Sequence, residues 1–315
     1  MLEPTPTPLE QSTPPATPRL AWGLPSPHAE PVHRAAFVAW LCLTLGEVVA
    51  GMTGLRLSPG WSWVHGLYLV LTAFTMLAAL ARWLPVQNVV ACGLVLVLTS
   101  AVALALSVKQ GFPFGRFEFT DALGPRLLEA LAWPVPFLWV AVLLASRQTA
   151  KVILQPWRRS KPYGWWLLGT ATALAAVQTL ALEPFGHRVM GWWVWPKTTA
   201  TVTWYGAPLL MVVGAVLLAV ALLVLAGPWL ISKRPTGRVP DFEPVWVWLG
   251  LMVWWTVGNL RTGLWLAAGV ALVAGASRSG RRGAAPASRL GLRRRRWWPC
   301  QLEPGDPEAV NGLDL

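Results

Sequence analysis

The chain has 315 residues, of which 55% are hydrophobic and only 13% charged, and its mean hydropathy is +0.48. A soluble domain carries about 25% charged residues, so the composition excludes an ordinary soluble enzyme and points to a polytopic membrane protein. The net charge of +12 does not mark a nucleic-acid binder, because eight arginines crowd between Arg278 and Arg296, just past the last apolar run, where cytoplasmic anchoring charges belong.

Residues 1–32 are rich in Pro, Thr and Ser and read as a disordered tail without the basic-then-apolar order of a secretory signal. Apolar runs of roughly 20 residues, the length needed to cross ~30 Å of hydrocarbon, follow at Ala35–Leu55, Trp63–Leu84, Asn88–Val108, Leu127–Ser146, Gly164–Leu182 and Gly206–Ile231. The last apolar stretch is too long for one crossing, and "GNLRTG" breaks it into Pro244–Gly258 and Thr262–Ala276, with Asn259 and Arg261 expected to cap the break. The expectation is an all-α, polytopic transmembrane helical bundle over residues 33–277, with about eight spans, or seven if the last stretch is one tilted helix. An Arg-rich cytoplasmic tail occupies 278–315. Many of the 22 tryptophans lie near the ends of runs, as an interfacial belt would. Cys42 and Cys92 sit inside runs and read as small buried hydrophobes, and the three cysteines have no metal-ligand spacing.

The loop charges orient the bundle. Five Lys/Arg lie in Arg147–Lys161, Lys233, Arg234 and Arg238 lie in the next loop of the same parity, and the tail adds its arginines. With eight spans all three share one side with the N-terminus, and the positive-inside rule makes that side the cytoplasm of a bacterial inner membrane. The segments Lys109–Arg126 and Pro184–Tyr205 then share the opposite face and can meet.

Those two segments carry most of the chemistry. "KQGFPFGRFEFTDALGP" (Lys109–Pro125) combines turn residues with Phe114, Phe117 and Phe119 and with ionisable Arg116, Glu118 and Asp121. Glu118 and Asp121 share a face if that part is helical, and Arg116 and Arg126 are available to pair with them. The plainer reading is an interfacial loop with compensating charges. "EPFGHRVMGWWVWPKTTATVTWYGAP" (Glu183–Pro208) mixes Trp192, Trp193, Trp195, Trp204 and Tyr205 with Glu183, His187, Arg188 and Lys197. Here the plainer reading is a surface or re-entrant segment held by its tryptophans. His187 has no second histidine at ligand spacing, so no metal site is expected. Glu47, well inside the first run, must face protein and be paired or protonated, either for function or as an interhelical hydrogen bond. Glu129 and Glu183 sit at span ends. Nucleotide-binding loops, zinc-protease motifs, nucleophile elbows and visible inverted repeats are all lacking.

"GFPFGRFEFTDALGP" followed by "WPVPFLW" resembles the signature of the carotenoid biosynthesis membrane proteins, which include hydratases acting on γ-carotene and on bisanhydrobacterioruberin. Gly111, Pro113, Phe114, Gly115, Leu123, Gly124 and Pro125 match the family pattern, and Phe117 and Phe119 stand where it has tyrosines. "LEP" (Leu182–Pro184) is similar to the family's L-D-P, and "WVW…TWYGAP" to its W-x-W…Y-Y-G-V-P. The resemblance covers roughly Gly111 to Pro208. The chain departs from the pattern at Thr179, in place of an aspartate, at Met211, in place of an asparagine, and at Ala215, in place of a tryptophan.

The resemblance implies hydration of the terminal C1=C2 bond of a linear carotenoid. That reaction needs a protonated acid to deliver a proton to C2, aromatic faces to stabilise the cation at C1, and water to capture it. No cofactor is required. Glu118 and Asp121 rank first as the acid, then Glu183, then Glu47. Phe114, Arg116, Phe117, Phe119, Trp195, Trp204 and Tyr205 are the expected substrate contacts. The partners are a carotenoid or other long isoprenoid and membrane lipids, without nucleic acid. The departures favour a second reading, a non-catalytic carotenoid-binding protein on the same scaffold. A small-solute transporter is the third.

Overall fold

The structure is a computed structural model and describes residues 29–55, 61, 63–196, 202–231 and 241–276. The N-terminal tail up to residue 28, the Arg-rich tail, Lys197, Lys233, Arg234 and Arg238 lie outside the described residues. Eight α-helices follow one another among the described residues: α1 (Ala29–Thr53), α2 (Trp63–Ala81), α3 (Val86–Gln110), α4 (Val135–Ile153), α5 (Tyr163–Pro184), α6 (Leu210–Leu230), α7 (Glu243–Arg261) and α8 (Trp265–Ala276). The chain is an all-α bundle of membrane type. Helices α1, α2, α3, α6 and the segment Tyr163–Val189 are long and apolar enough to cross a bilayer. The twelve residues of α8 rise only about 18 Å at 1.5 Å per residue, well short of ~30 Å. The eight-span count stays an expectation for α4, α7 and α8. Val38, Leu45, Val49 and Met52 of α1 and Leu94, Leu98 and Val102 of α3 are exposed. Such continuous apolar faces fit contact with lipid.

Helix α4 sits at the centre, packed on α2, α3, α5 and α7. Every residue from Val140 to Arg147 is buried, which is the signature of a helix surrounded on all sides. In lipid, helix association rests on close packing rather than on the hydrophobic effect. Ala141 and Ala145 of α4 and Ala171 and Ala175 of α5 are all buried, and small residues four apart let backbones approach. Ser146 Oγ donates to Gln178 Oε1 at 3.0 Å between the same two helices. Buried hydroxyls of Thr44, Thr72, Ser100, Thr179 and Thr256 donate to the carbonyl four residues back, so they need no water.

The fourth apolar run differs from its expected Leu127–Ser146 range. Pro134 and Pro136 disfavour a helix that begins before them and suit the first turn of one that begins there, and Leu128 (φ 50) and Glu129 (φ 57) adopt left-handed conformations. The chain instead makes a tight hairpin of β2 (Arg126–Leu127) and β3 (Leu131–Ala132). Glu129 is therefore on an exposed turn rather than at a span end. Helix α4 starts after Pro134 and runs on to Ile153, which places Arg147 and Lys151 on the helix and not in the loop. The break between α7 and α8 is real, but Asn259 and Arg261 do not cap it; Thr262 does, its hydroxyl donating to the Gly258 carbonyl at 3.1 Å. Gly263 (φ 75) makes the turn, Asn259 reaches α5 and Arg261 donates to the Gly51 carbonyl at 3.0 Å. Glu47 is half-buried and bonded to His65 Nδ1 at 2.9 Å.

Candidate functional site

The α3–α4 and α5–α6 connections meet at one end of the bundle. Strand β1 (Glu118–Phe119) pairs antiparallel with β4 (Trp193–Val194), with Phe119 opposite Trp193. Thr120 ties the junction, its N–H donating to Trp192 O at 3.0 Å and its hydroxyl to Gly191 O at 2.5 Å. Extended backbone sends alternate side chains to opposite faces. Phe117 and Phe119 turn inward and are buried, whereas Arg116 and Glu118 turn outward and are exposed. Trp193 and Trp195 follow the same alternation from the facing strand.

The end of α5 is shaped by Pro184. A proline has no N–H for the carbonyl four residues back, so Leu180 O is left free, and Trp204 Nε1 donates to it at 3.0 Å. The Phe185 N–H bonds Leu182 O rather than Ala181 O. Asn259 Nδ2 of α7 fills the vacancy at Ala181 O at 2.9 Å. Residues Phe185–Val189 then form a π-helical turn that brings the chain back over the helix end. Gly186 lies flat against the Trp193 ring, where a Cβ would come within 2.3 Å of the indole.

These features hold Glu183 in a closed aromatic cage. The residue is 6% exposed, and among the described residues it is the one buried acid. Oε1 accepts from Trp193 Nε1 at 2.8 Å and from Trp195 Nε1 at 2.5 Å. It faces a cavity of about 60 Å³ walled by Phe114, Phe117, Phe119 and Trp139, together with Thr179 and Met211. The rings pack edge to face or tilted: Phe117 and Phe119 at 5.0 Å between centroids, Phe117 and Trp195 at 5.2 Å. A cavity of this volume is too small to enclose a whole polyene.

The structure therefore gathers Glu183, Phe114, Phe117, Phe119 and Trp195 around one cavity. Glu118 points away on the outer face of β1. Asp121 is 76% exposed and paired with Arg126 at 2.9 Å. The two acids are not on a common helical face, because Glu118 is extended and Asp121 opens a short 3-10 turn. Arg116 lies outside the cavity. Trp204 is committed to the Leu180 carbonyl, and the Tyr205 hydroxyl accepts from the Leu266 N–H at 3.1 Å. His187 Nδ1 bonds Trp193 O, and Arg188 donates to Tyr205 O. Sequence reasoning passed over Trp193 and Trp139 as cavity residues. The two-residue alternation Trp193–Trp195 was the signal for the first, and "WPVPFLW" contained the second. The departures at Thr179 and Met211 line this same cavity.

A family model described as carotenoid biosynthesis protein matches residues 64–277. No match is found among curated proteins or among solved structures. The match covers well over half of the chain and includes every residue of the Glu183 cage. The chain is a member of the carotenoid biosynthesis protein family.

Proposed function

We propose that the chain hydrates the terminal C1=C2 bond of a linear carotenoid, with Glu183 as the general acid. The observation that carries this reading is a buried carboxyl whose hydrogen-bond partners among the described residues are indole N–H groups, set in a wall of aromatic faces. Both indoles converge on Oε1, which fits the carbonyl oxygen of a neutral carboxyl and leaves Oε2 to carry the proton. The proton passes from Oε2 to C2, and the π pair forms the new C–H bond. The tertiary cation at C1 faces the rings of Phe117, Phe119 and Trp193, whose negative faces favour it. A water oxygen then bonds C1, and its surplus proton returns to the Glu183 carboxylate, so the net change is addition of one water.

The test is expression in a host making linear ψ-ended carotenoids, with pigments read by mass and absorption. The expected product is heavier by one water with a nearly unchanged chromophore, because the 1,2 bond lies outside the conjugated system. Glu183→Gln keeps shape and an acceptor for the indoles but loses the acidic proton. Its activity falls by about a hundredfold or more, the scale of general-acid catalysis. Glu118→Gln and Asp121→Asn, both solvent-exposed, stay near parental. Parental hydration by Glu183→Gln refutes the assignment.

Thr179 and Met211 favour the second reading, a carotenoid binder without chemistry. Thr179 gives its one hydroxyl proton to the Ala175 carbonyl at 3.0 Å, and Met211 offers only a thioether, so neither position has a hydrogen-bond donor left for water. Pigment that co-purifies unchanged in mass, with no hydrated product in any ψ-ended host, selects this reading.

A further inference from the structure

At the other end of the bundle, the end whose charge predicts a cytoplasmic location, a second cavity of about 560 Å³ opens between the ends of α2, α4, α5 and α6. That is within the usual size of small-molecule sites, roughly 300–1,000 Å³. Its chemistry is divided. Leu80, Leu167 and Leu223 make an apolar wall, and Arg147, Lys151 and Arg158 make a cationic one, with Tyr163 beside them. Arg147 is only 8% exposed. Its Nη2 donates to Leu230 O at 3.1 Å, while its Nη1 is buried with no hydrogen-bond partner among the described residues. Lys151 lies one turn further along the same face of α4, within electrostatic reach of both arginines.

No carboxylate among the described residues balances these cations. Asp241, the one acid at the rim, is taken by the Arg82 guanidinium, which also holds Glu243 and Glu30. Burying a cation without a counter-charge or a full set of acceptors is costly. An arginine that served only as a membrane anchor would reach outward to headgroups, whereas Arg147 is enclosed by protein and borders a cavity.

We propose that this cavity binds a phosphate-bearing anion, with Arg147, Lys151 and Arg158 holding the phosphate oxygens. A guanidinium fixed by one carbonyl presents its remaining N–H groups as a fork suited to phosphate. Three cations call for a multiply charged oxyanion rather than a single carboxylate. The leucine wall suits an apolar tail on the same ligand, so the phosphate comes either from a lipid headgroup or from a soluble anion. The site shares no residue with the Glu183 cage, and its failure leaves the hydratase reading untouched.

The test uses the full chain purified in an uncharged maltoside, with thermal unfolding followed while dioctanoyl phosphatidic acid, dioctanoyl phosphatidylcholine or sodium pyrophosphate is titrated in. The expected result is a saturable rise in Tm with phosphatidic acid. The zwitterionic lipid gives no comparable effect. A response to pyrophosphate equal to that of phosphatidic acid assigns the site to a soluble phosphate, and a response to the lipid alone assigns it to a headgroup with its tail. Arg147→Gln and Arg158→Gln each weaken the apparent Kd roughly tenfold or more, the scale of one charge-assisted hydrogen bond. Arg158 is exposed, so its variant decides the matter even if Arg147→Gln, which also releases the Leu230 carbonyl, does not fold. The proposal is overturned if no phosphate probe saturates, if phosphatidylcholine acts as well as phosphatidic acid, or if Arg158→Gln binds as the parent does.

Discussion

Gly186→Ala tests the cage without touching any group that performs chemistry. The added Cβ would lie 2.3 and 2.4 Å from two carbons of the Trp193 ring and 2.9 Å from a third. Ordinary carbon contacts are about 3.5–4.0 Å, so the ring or the π-helical turn must shift by more than 1 Å. The ring is held, since its Nε1 donates to Glu183 at 2.8 Å and Phe119 stands edge-on to it at 6.4 Å. Overpacking of this kind costs about 1–3 kcal/mol, and a hydrogen bond to Glu183 lost in the process adds about 1 kcal/mol. The expected loss of stability is therefore ~2–4 kcal/mol, read by thermal or denaturant unfolding in detergent, together with reduced pigment conversion. Gly169→Ala in α5 is the control, because its Cβ meets nothing within 4 Å. It should be neutral or slightly stabilising on helix propensity alone. If Gly186→Ala unfolds within about 0.5 kcal/mol of the parent, the ordinary range of surface changes, the close seating of Trp193 on Gly186 is wrong.

Three further outcomes follow. Trp195→Phe keeps the ring in the wall but removes one donor to Glu183 Oε1. It should cost about 1 kcal/mol or somewhat more and lower conversion, and a stability double-mutant cycle with Glu183→Leu, which removes the acceptor, should show coupling; additive effects would break the claimed contact. Asn259→Leu strips the Ala181 carbonyl of its donor and should destabilise by about 1–3 kcal/mol, while Thr262→Val, at an exposed residue whose hydroxyl bonds carbonyls of its own helix turn, should cost less in the same melt. Epitope tags in the exposed turn at Leu128–Glu129 and at Ser160 should report opposite sides of the membrane in protease-protection assays, the first outside and the second in the cytoplasm; tags on one side would refute the bundle's orientation.

The helices were legible because hydropathy is a property of some twenty residues at once, and each of the eight helices falls on a run that composition marked. The fourth boundary was not. Leu127 and Leu128 extend the apolar run, and nothing in a leucine announces the left-handed φ that turns the chain there. Pro125, Pro134 and Pro136 were the available signal. The meeting of the two loops was legible from charge parity, and their pairing through β1 and β4 supplies it. Which acid lies inside was not. Glu118 and Glu183 both sit beside aromatic residues in sequence. One is put outside by the two-residue alternation of an extended strand. The other is put inside by a proline-induced π turn that folds two tryptophans back over it. Trp204 and Tyr205 read as ligand contacts because they are aromatic and near the motif, yet their polar atoms serve the backbone that positions Glu183 and α8.

The partners of each acid separate structure from chemistry. Glu47 is bonded to His65, and the pair joins α1 to α2. Asp121 is exposed and bonded to the Arg126 guanidinium. Glu243 and Glu30 are tied to Arg82 and to residues of α1. Among the described residues, Glu183 alone of the buried and half-buried acids is hydrogen-bonded to neither a base nor a cation. An indole N–H donates and does not accept, so the cage orients the carboxyl without competing for its proton. An acid held this way fits the delivery of a proton to an apolar alkene, and the same cage lies beside Met211, where water would need a partner that the thioether does not offer. In the proposed reaction, hydration therefore turns on how water reaches the cation at C1 from a side on which its surplus proton can return to Glu183.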